Sequence, residues 1–449
     1  MAAACCTLLP PLSRPLAAQS TAVARSVAPQ QSALPIVFVH GNGDHAGLWD
    51  TTIWRFESNG YPANRLFAVD LPNPLSSSTI RAAELNRSTP EDQTAALAAY
   101  VTRVLLQTGA PKVVLVGSSR GGMTIRNYVR FGGGAAHVSH VITCGSPNHG
   151  VFALREMQPL SEYNGAGEYL QRLNAGSEVV AGVRFLALRS DSLDKYAQAS
   201  GAGLGNPSMK TGVDATGPAL RGATNVVLPG TDHREVAFGP ASFAAQYRFV
   251  TQRAPRTTAI VADTVAVLNG MVSRNVNDGP TNLPTIGAQV TVYTVDPTTG
   301  MRSGSAVHRA TTGVMGEWGP FRAQPTQTYE FEVVAPDSSV LLHVYRSPLL
   351  RSSRVVNFRL PSLPAGKKDS TSVLITRPRG YFGVGRDTVQ FDGAAARGIT
   401  PGVPSVDRAI RWFATDSSRT VVTRVNGETI VVRTRPDDKR RLVLAEFLY

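Results

Sequence analysis

The chain has 449 residues, too many for one compact core, so two or three domains are expected. Hydrophobic residues make up 42% and charged residues 17%, which excludes a disordered chain, and no apolar run reaches the roughly 20 residues of a membrane-spanning helix. A formal net charge of +13 raises the question of nucleic acid. The arginines, however, are spread through strand-like segments, with no basic helix, finger motif or interleaved aromatics, which argues against nucleic-acid binding.

Three cysteines occur. Cys5 and Cys6 lie at the extreme N-terminus and Cys144 stands alone, so neither a disulfide framework nor a metal-ligand spacing is present. Residues 1–31 read as a disordered tail or as the remnant of an export signal. Residues 1–12 are small and apolar without a positive start, Leu16-Ala17-Ala18 suits a signal-peptidase site, and Ala3-Ala4-Cys5 has the outline of a lipoprotein box. The export reading implies a secreted or cell-surface protein.

From residue 32 to 255 apolar strand-like runs alternate with helical patterns. Pro35-Ile36-Val37-Phe38-Val39 is a short β-branched run, as expected of a strand buried on both faces, and residues 66–71, 112–116, 138–144, 183–188 and 225–228 repeat that character. The clearest helix starts at Ser88-Thr89-Pro90-Glu91-Asp92, with a capping hydroxyl, a proline in the first turn and acids against the helix dipole. Leu97, Tyr100, Val101, Val104 and Leu105 give it one apolar stripe, and Gly109 with Pro111 stops it. Such alternation predicts a doubly wound α/β domain with a mostly parallel sheet. After residue 256 the period changes. Tyr329-Glu330-Phe331-Glu332-Val333 alternates with period two, Val425-Asn426-Gly427-Glu428 is a hairpin turn, and no helix of normal length is convincing. This half is predicted to be an all-β sandwich or barrel, with one domain over 256–365 and a β-rich segment over 366–449 that either forms a second module or belongs to the same domain.

Chemistry concentrates in the first half. The run Lys112-Val113-Val114-Leu115-Val116 leads into Gly117-Ser118-Ser119-Arg120-Gly121 and then a helical stretch. That is G-x-S-x-G in strand–turn–helix context, the arrangement of a nucleophile elbow, in which small flanking residues let the central serine project above the sheet. Ser119 is therefore the candidate nucleophile. His40-Gly41-Asn42-Gly43 ends the first strand, and an N–H there, best placed at Asn42, can join that of Arg120 to hold an oxyanion. A serine needs a base, itself oriented by a carboxylate. His233, on a turn after the last strand, fits the order serine, acid, histidine. Asp191 and Asp194 both follow a strand end where the acid belongs; Asp194 is preferred, and Asp191 is the alternative.

By these residues the chain resembles secreted bacterial lipases. The shared stretches are the V-x-V-H-G start, the elbow, Gly145-Ser146-Pro147-Asn148-His149-Gly150, Leu173-Asn174, and an acid region in which Asp194 is followed by Gln198. The order of domains resembles the two-domain archaeal (Archaeoglobus) lipase type, whose α/β-hydrolase domain precedes a β-rich lipid-binding domain, and Tyr329-Glu330-Phe331 and Tyr345-Arg346-Ser347-Pro348 resemble its short motifs. The resemblance implies an α/β-hydrolase fold and a carboxylic ester hydrolase acting on esters or lipids, without cofactor or metal. A polyester-degrading hydrolase whose β region binds polymer, and a non-catalytic binding protein of the same fold, are the alternatives. Ser118 stands where many lipases carry histidine and Arg120 where methionine or glutamine is usual, so substrate preference does not carry over. Arg120 is expected at the mouth of the acyl pocket, and residues 151–182 and 195–222 are expected to govern access.

Overall fold

Six strands fall where the apolar runs predict them: β1 (Ile36–Val39), β2 (Leu66–Val69), β3 (Val113–Ser118), β4 (Val138–Cys144), β5 (Arg184–Ser190) and β6 (Thr224–Leu228). They form one sheet in the order β2-β1-β3-β4-β5-β6 with every pairing parallel. The computed structural model describes residue 1 and residues 33–204, 209–277, 279–337, 340–362, 370–414, 418–435 and 440–449. Met1–Ala33 and Leu34–Tyr449 are separate units; apart from Met1, the expected tail over residues 1–31 lies outside the described residues.

Helices α1 (Asp50–Ser58), α2 (Pro90–Thr108), α3 (Arg120–Phe131), α4 (Glu168–Asn174), α5 (Glu235–Phe238) and α6 (Pro240–Thr251) accompany the sheet. α2 shows how local the instructions are. Thr89 accepts from the Asp92 N–H while Asp92 returns the bond to the Thr89 N–H, Pro90 occupies the first turn, and Gly109 ends the helix in the left-handed region at φ 62°. Leu97, Val101 and Val104 then bury against Val37, Leu115 and Tyr128; each such side chain contributes about 1.5–3 kcal/mol by leaving water.

Beyond Thr251 no α-helix occurs among the described residues. Strands β7 (Gln289–Thr294), β8 (His308–Thr311), β9 (Tyr329–Val334), β10 (Val340–Arg346), β11 (Ser370–Thr376), β12 (Val389–Phe391), β13 (Arg408–Ala414), β14 (Thr420–Val425), β15 (Glu428–Arg433) and β16 (Arg440–Glu446) are the principal ones. Seven of them form a mixed sheet, β8-β7-β9-β10-β16-β11-β13. The parallel pairs β10–β16 and β16–β11 seat the last strand in the middle of that sheet, so the 289–346 and 370–446 stretches share it. β14 and β15 meet at the expected turn, where Asn426 and Gly427 both adopt positive φ.

The β region also packs on the α/β region. Trp54 of α1 belongs to the same buried cluster as Trp318, Phe331 and Phe358, and its indole N–H donates to the Ser352 carbonyl at 3.0 Å. Glu330 of β9 is buried with His343 and Arg302. Burial alone would raise its pKa, but hydrogen bonds from Arg302 and His343 hold it well below the carboxylate range. Glu330, Glu332 and His343 lie close enough together to hold an ion, yet Arg302 bonds both glutamates and Arg435 also reaches Glu330. The cluster's charge is already matched, so it reads as a buried structural network.

One buried acid at this contact is testable. Asp50, at the start of α1, accepts a bond from the Ser353 hydroxyl at 2.6 Å. Burial raises its pKa to about 6, against the downward pull of Arg379 and of that bond. The folded protein thus holds this proton more tightly than the unfolded chain, whose carboxyl titrates near pH 3.9. Its contribution to stability is complete below that value and is lost as pH rises through 6. Asp50→Asn should therefore gain on wild type by on the order of 2–3 kcal/mol between pH 4 and pH 7, since each tenfold difference in proton affinity is worth about 1.36 kcal/mol. Urea unfolding at both pH values reads the difference, and a constant difference would rule the account out.

Candidate active site

The elbow's geometry follows from what its neighbours leave no room for. A Cβ on Gly117 would meet the Gly121 carbonyl at 2.5 Å, and one on Gly121 would meet the His40 carbonyl at the same distance. The turn between β3 and α3 can close this tightly only with glycine at both places. Closure forces Ser119 to φ 52°, ψ −119°, a conformation that L residues rarely adopt and that is held here by the surrounding strands. The serine thereby stands at the N-terminus of α3, with its side chain clear of the sheet.

The structure brings Ser119, His233 and Asp194 together. His233 Nε2 lies 3.0 Å from Ser119 Oγ, and its Nδ1 lies 2.9 Å from Asp194 Oδ2 and 3.0 Å from Oδ1. A carboxylate only accepts, so the imidazole proton sits on Nδ1 and the Nε2 lone pair faces the hydroxyl. The side chains are 6% and 13% exposed for His233 and Asp194. The Tyr196 ring meets the imidazole edge-on at 4.5 Å. Asp191, the alternative acid, is not part of this constellation. Its two oxygens accept from the N–H groups of Leu193 and Gly230, at 3.0 and 2.7 Å, so it pins two loops together. Asp194→Asn is expected to lower turnover by roughly 10³–10⁴, through the wrong imidazole tautomer, whereas Asp191→Asn should leave kcat within about threefold. Steady-state kinetics on the two variants distinguishes them, and equal losses would remove the distinction.

The oxyanion candidates are placed by the bonds their neighbours make. The Ser119 N–H is taken by the Cys144 carbonyl at 2.8 Å, and the N–H groups of Gly43 and Asp44 by Pro74 and Gly41. Among the described residues, the N–H groups of Asn42 and Arg120 meet no acceptor. The Asn42 side chain accepts from the Ser76 N–H at 2.8 Å, which fixes the loop. His40 orders the same loop. Burial lowers its pKa to about 3, so it is neutral. Its Nε2 accepts from the Leu71 N–H at 3.0 Å and its Nδ1–H donates to the Gly41 carbonyl at 2.9 Å.

Arg120 departs from expectation. Its side chain does not reach the pocket mouth; it is 2% exposed and forms a bidentate pair with buried Glu162, at 2.5 and 2.9 Å. The same guanidinium donates to the Pro74 carbonyl and to Ser88. It clamps beneath the surface three segments that wall the cavity, because burial of a charge demands that every donor be matched.

That cavity, of about 600 Å³, opens beside Ser119 and His233. Val151, Phe152, Leu160, Tyr163, Tyr196 and Tyr381 are among the residues that line it. Both segments expected to govern access contribute: Phe152 and Leu160 from 151–182, and Tyr196 and Leu204 from 195–222, whose residues 205–208 lie outside the described residues. Sequence reasoning missed Glu162 and Tyr381 altogether. Neither sits in a local pattern, since their partners lie 42 and 149 residues away. Among the described residues, no helix is long and apolar enough to cross a membrane.

Residues 35–177 match the family described as "alpha/beta hydrolase fold", and residues 264–363 match that described as "Lipase C-terminal domain". No curated protein matches the chain. Among solved structures it is similar to the lipase BlEst2 of Bacillus licheniformis in its mature form, at 20% identity and a TM-score of 0.37 over 49% of this chain and 94% of that one. The propeptide form of that lipase matches at 14% identity and a TM-score of 0.36 over 90% and 94% of the two chains. Lipase B of Aspergillus fumigatus matches at 16% identity and a TM-score of 0.36 over 51% and 55%. The parallel sheet, the strained elbow and the matched segments agree: the chain carries an α/β-hydrolase fold followed by a C-terminal region rich in β-strands.

Proposed function

We propose that this protein is a carboxylic ester hydrolase of the lipase or esterase type, with Ser119 as nucleophile, His233 as base and Asp194 as the orienting acid. The observation that carries the reading is the continuous chain of bonds from Ser119 Oγ through the imidazole to Asp194, at 3.0 and 2.9 Å. It stands on a strained elbow and faces an apolar cavity.

The chemistry follows in two steps. His233 Nε2 takes the hydroxyl proton as Oγ bonds to the ester carbonyl carbon. The carbonyl oxygen becomes an oxyanion, held by the N–H groups of Asn42 and Arg120, donors that need no rearrangement when charge develops. His233 then gives its proton to the departing alkoxide, and the acyl group stays on Ser119 as an ester. Water repeats the sequence: its proton goes to Nε2, its oxygen to the carbonyl carbon, and the serine oxygen leaves reprotonated. The lining of Val151, Phe152 and Leu160 fits an apolar acyl chain, and the lipase-type description of residues 264–363 favours a lipid ester.

Labelling by a fluorophosphonate tests the reading directly. Wild type is expected to bind one equivalent covalently and Ser119→Ala none. Absence of label on the wild type would overturn it. Hydrolysis of p-nitrophenyl esters beside polyester films then separates small esters from polymer.

A further inference from the structure

We propose that Tyr381, supplied by the C-terminal β region, is a specificity-determining residue that closes the acyl cavity of the hydrolase region. The inference rests on the ester-hydrolase reading of the same site.

The segment between β11 and β12 crosses to the hydrolase region and is fastened on both sides of Tyr381. Before it, Arg379 donates to the carbonyls of Leu48 and Gly47 at 2.9 and 2.6 Å, and Arg377 pairs with Glu235 at 2.7 Å. After it, Arg386 pairs with Glu235 and Asp232 at 2.9 and 3.0 Å. Tyr381 itself donates its backbone N–H to Asp232 at 2.7 Å. Asp232 and Glu235 flank His233 in sequence, so the segment is tied to the loop that carries the base. Neither family match extends to it.

The side chain then enters the cavity wall. It lines the cavity together with Tyr196, whose ring lies against His233. Cations fix the Tyr381 ring itself: Lys195 Nζ lies 4.6 Å and the Arg234 guanidinium carbon 4.9 Å from its centre. Arg234 is in turn held by Asp44 and Asp407, so the ring swings aside only by giving up its contacts with both cations. Val151, Phe152 and Leu160 line the same cavity. A rigid aromatic wall at that place limits how much acyl chain the cavity accepts. Because the segment is anchored by backbone and by arginines, removing the Tyr381 side chain leaves its attachment intact.

The test is the chain-length profile of Tyr381→Ala, with Tyr381→Leu as the milder variant should the alanine form not fold. kcat/KM is measured on p-nitrophenyl esters from acetate to palmitate. The ratio of long-chain to short-chain activity is expected to change at least tenfold, while the fluorophosphonate still labels both variant and wild type. An unchanged ratio, even with all esters equally impaired, would overturn the proposal and assign Tyr381 to structure alone. A wild type that does not label would instead overturn the ester-hydrolase reading, so the two failures are distinguishable.

Discussion

Ser119→Ala should lower kcat for a p-nitrophenyl ester by roughly 10⁵–10⁶, and His233→Ala by a similar factor. In the proposed mechanism the two groups act as one unit, because the serine is nucleophilic only while Nε2 receives its proton. The double variant is therefore expected to be no slower than either single one. What would survive is the proposed oxyanion hole, whose backbone N–H groups neither substitution touches; such sites leave about 10³–10⁴ over water. Neither nearby candidate can substitute for the serine. Ser118 is buried in β3, and burial pushes the Cys144 thiol far above its ordinary range, so it offers no thiolate. Steady-state rates on the three variants, with active-site titration, check the prediction. Retention of more than about one per cent of wild-type turnover in Ser119→Ala would move the nucleophile elsewhere.

The parts of this site legible in sequence are those written in local spacing. The elbow needs small residues at Gly117 and Gly121, and that pattern is visible without any fold. The cap and stop of α2 and the turn at Asn426-Gly427 are equally local. Spacing narrows the acid to two residues, because both follow β5. The choice between them depends on which side chain reaches Nδ1 and which is spent on the Leu193 and Gly230 N–H groups, and that is decided in three dimensions. Tyr381 is out of reach for a related reason. It owes its position to its own bond with Asp232 and to the bonds of nearby Arg379 with Leu48 and Gly47, partners 149 to more than 300 residues away in the chain, and nothing in its own neighbourhood marks it. Arg120 is conspicuous in the sequence but points elsewhere than expected, because its position in the elbow suggests the pocket while its charge demands Glu162.

That demand makes Arg120→Met the substitution with the largest expected cost in stability. It would leave Glu162, itself 3% exposed, as a buried carboxylate without its two donors, and would strip donors from Pro74 and Ser88. Breaking a buried pair from one side costs about 3–5 kcal/mol, most of it the penalty of the charge left behind. Arg120→Lys should also lose stability, since an ammonium cannot make the bidentate bond and still reach both Pro74 and Ser88. Replacing both partners, as Arg120→Met with Glu162→Met, removes the stranded charge and should recover most of the loss. The backbone N–H of residue 120 is present in every variant, so the proposed oxyanion donor is not deleted. Gln158–Ser161, however, lines the cavity beside Glu162, and KM is expected to rise more than kcat falls. Urea unfolding of the two singles and the double gives the coupling energy. A loss below about 1 kcal/mol in Arg120→Met would show that the pair is exposed enough for water to replace it.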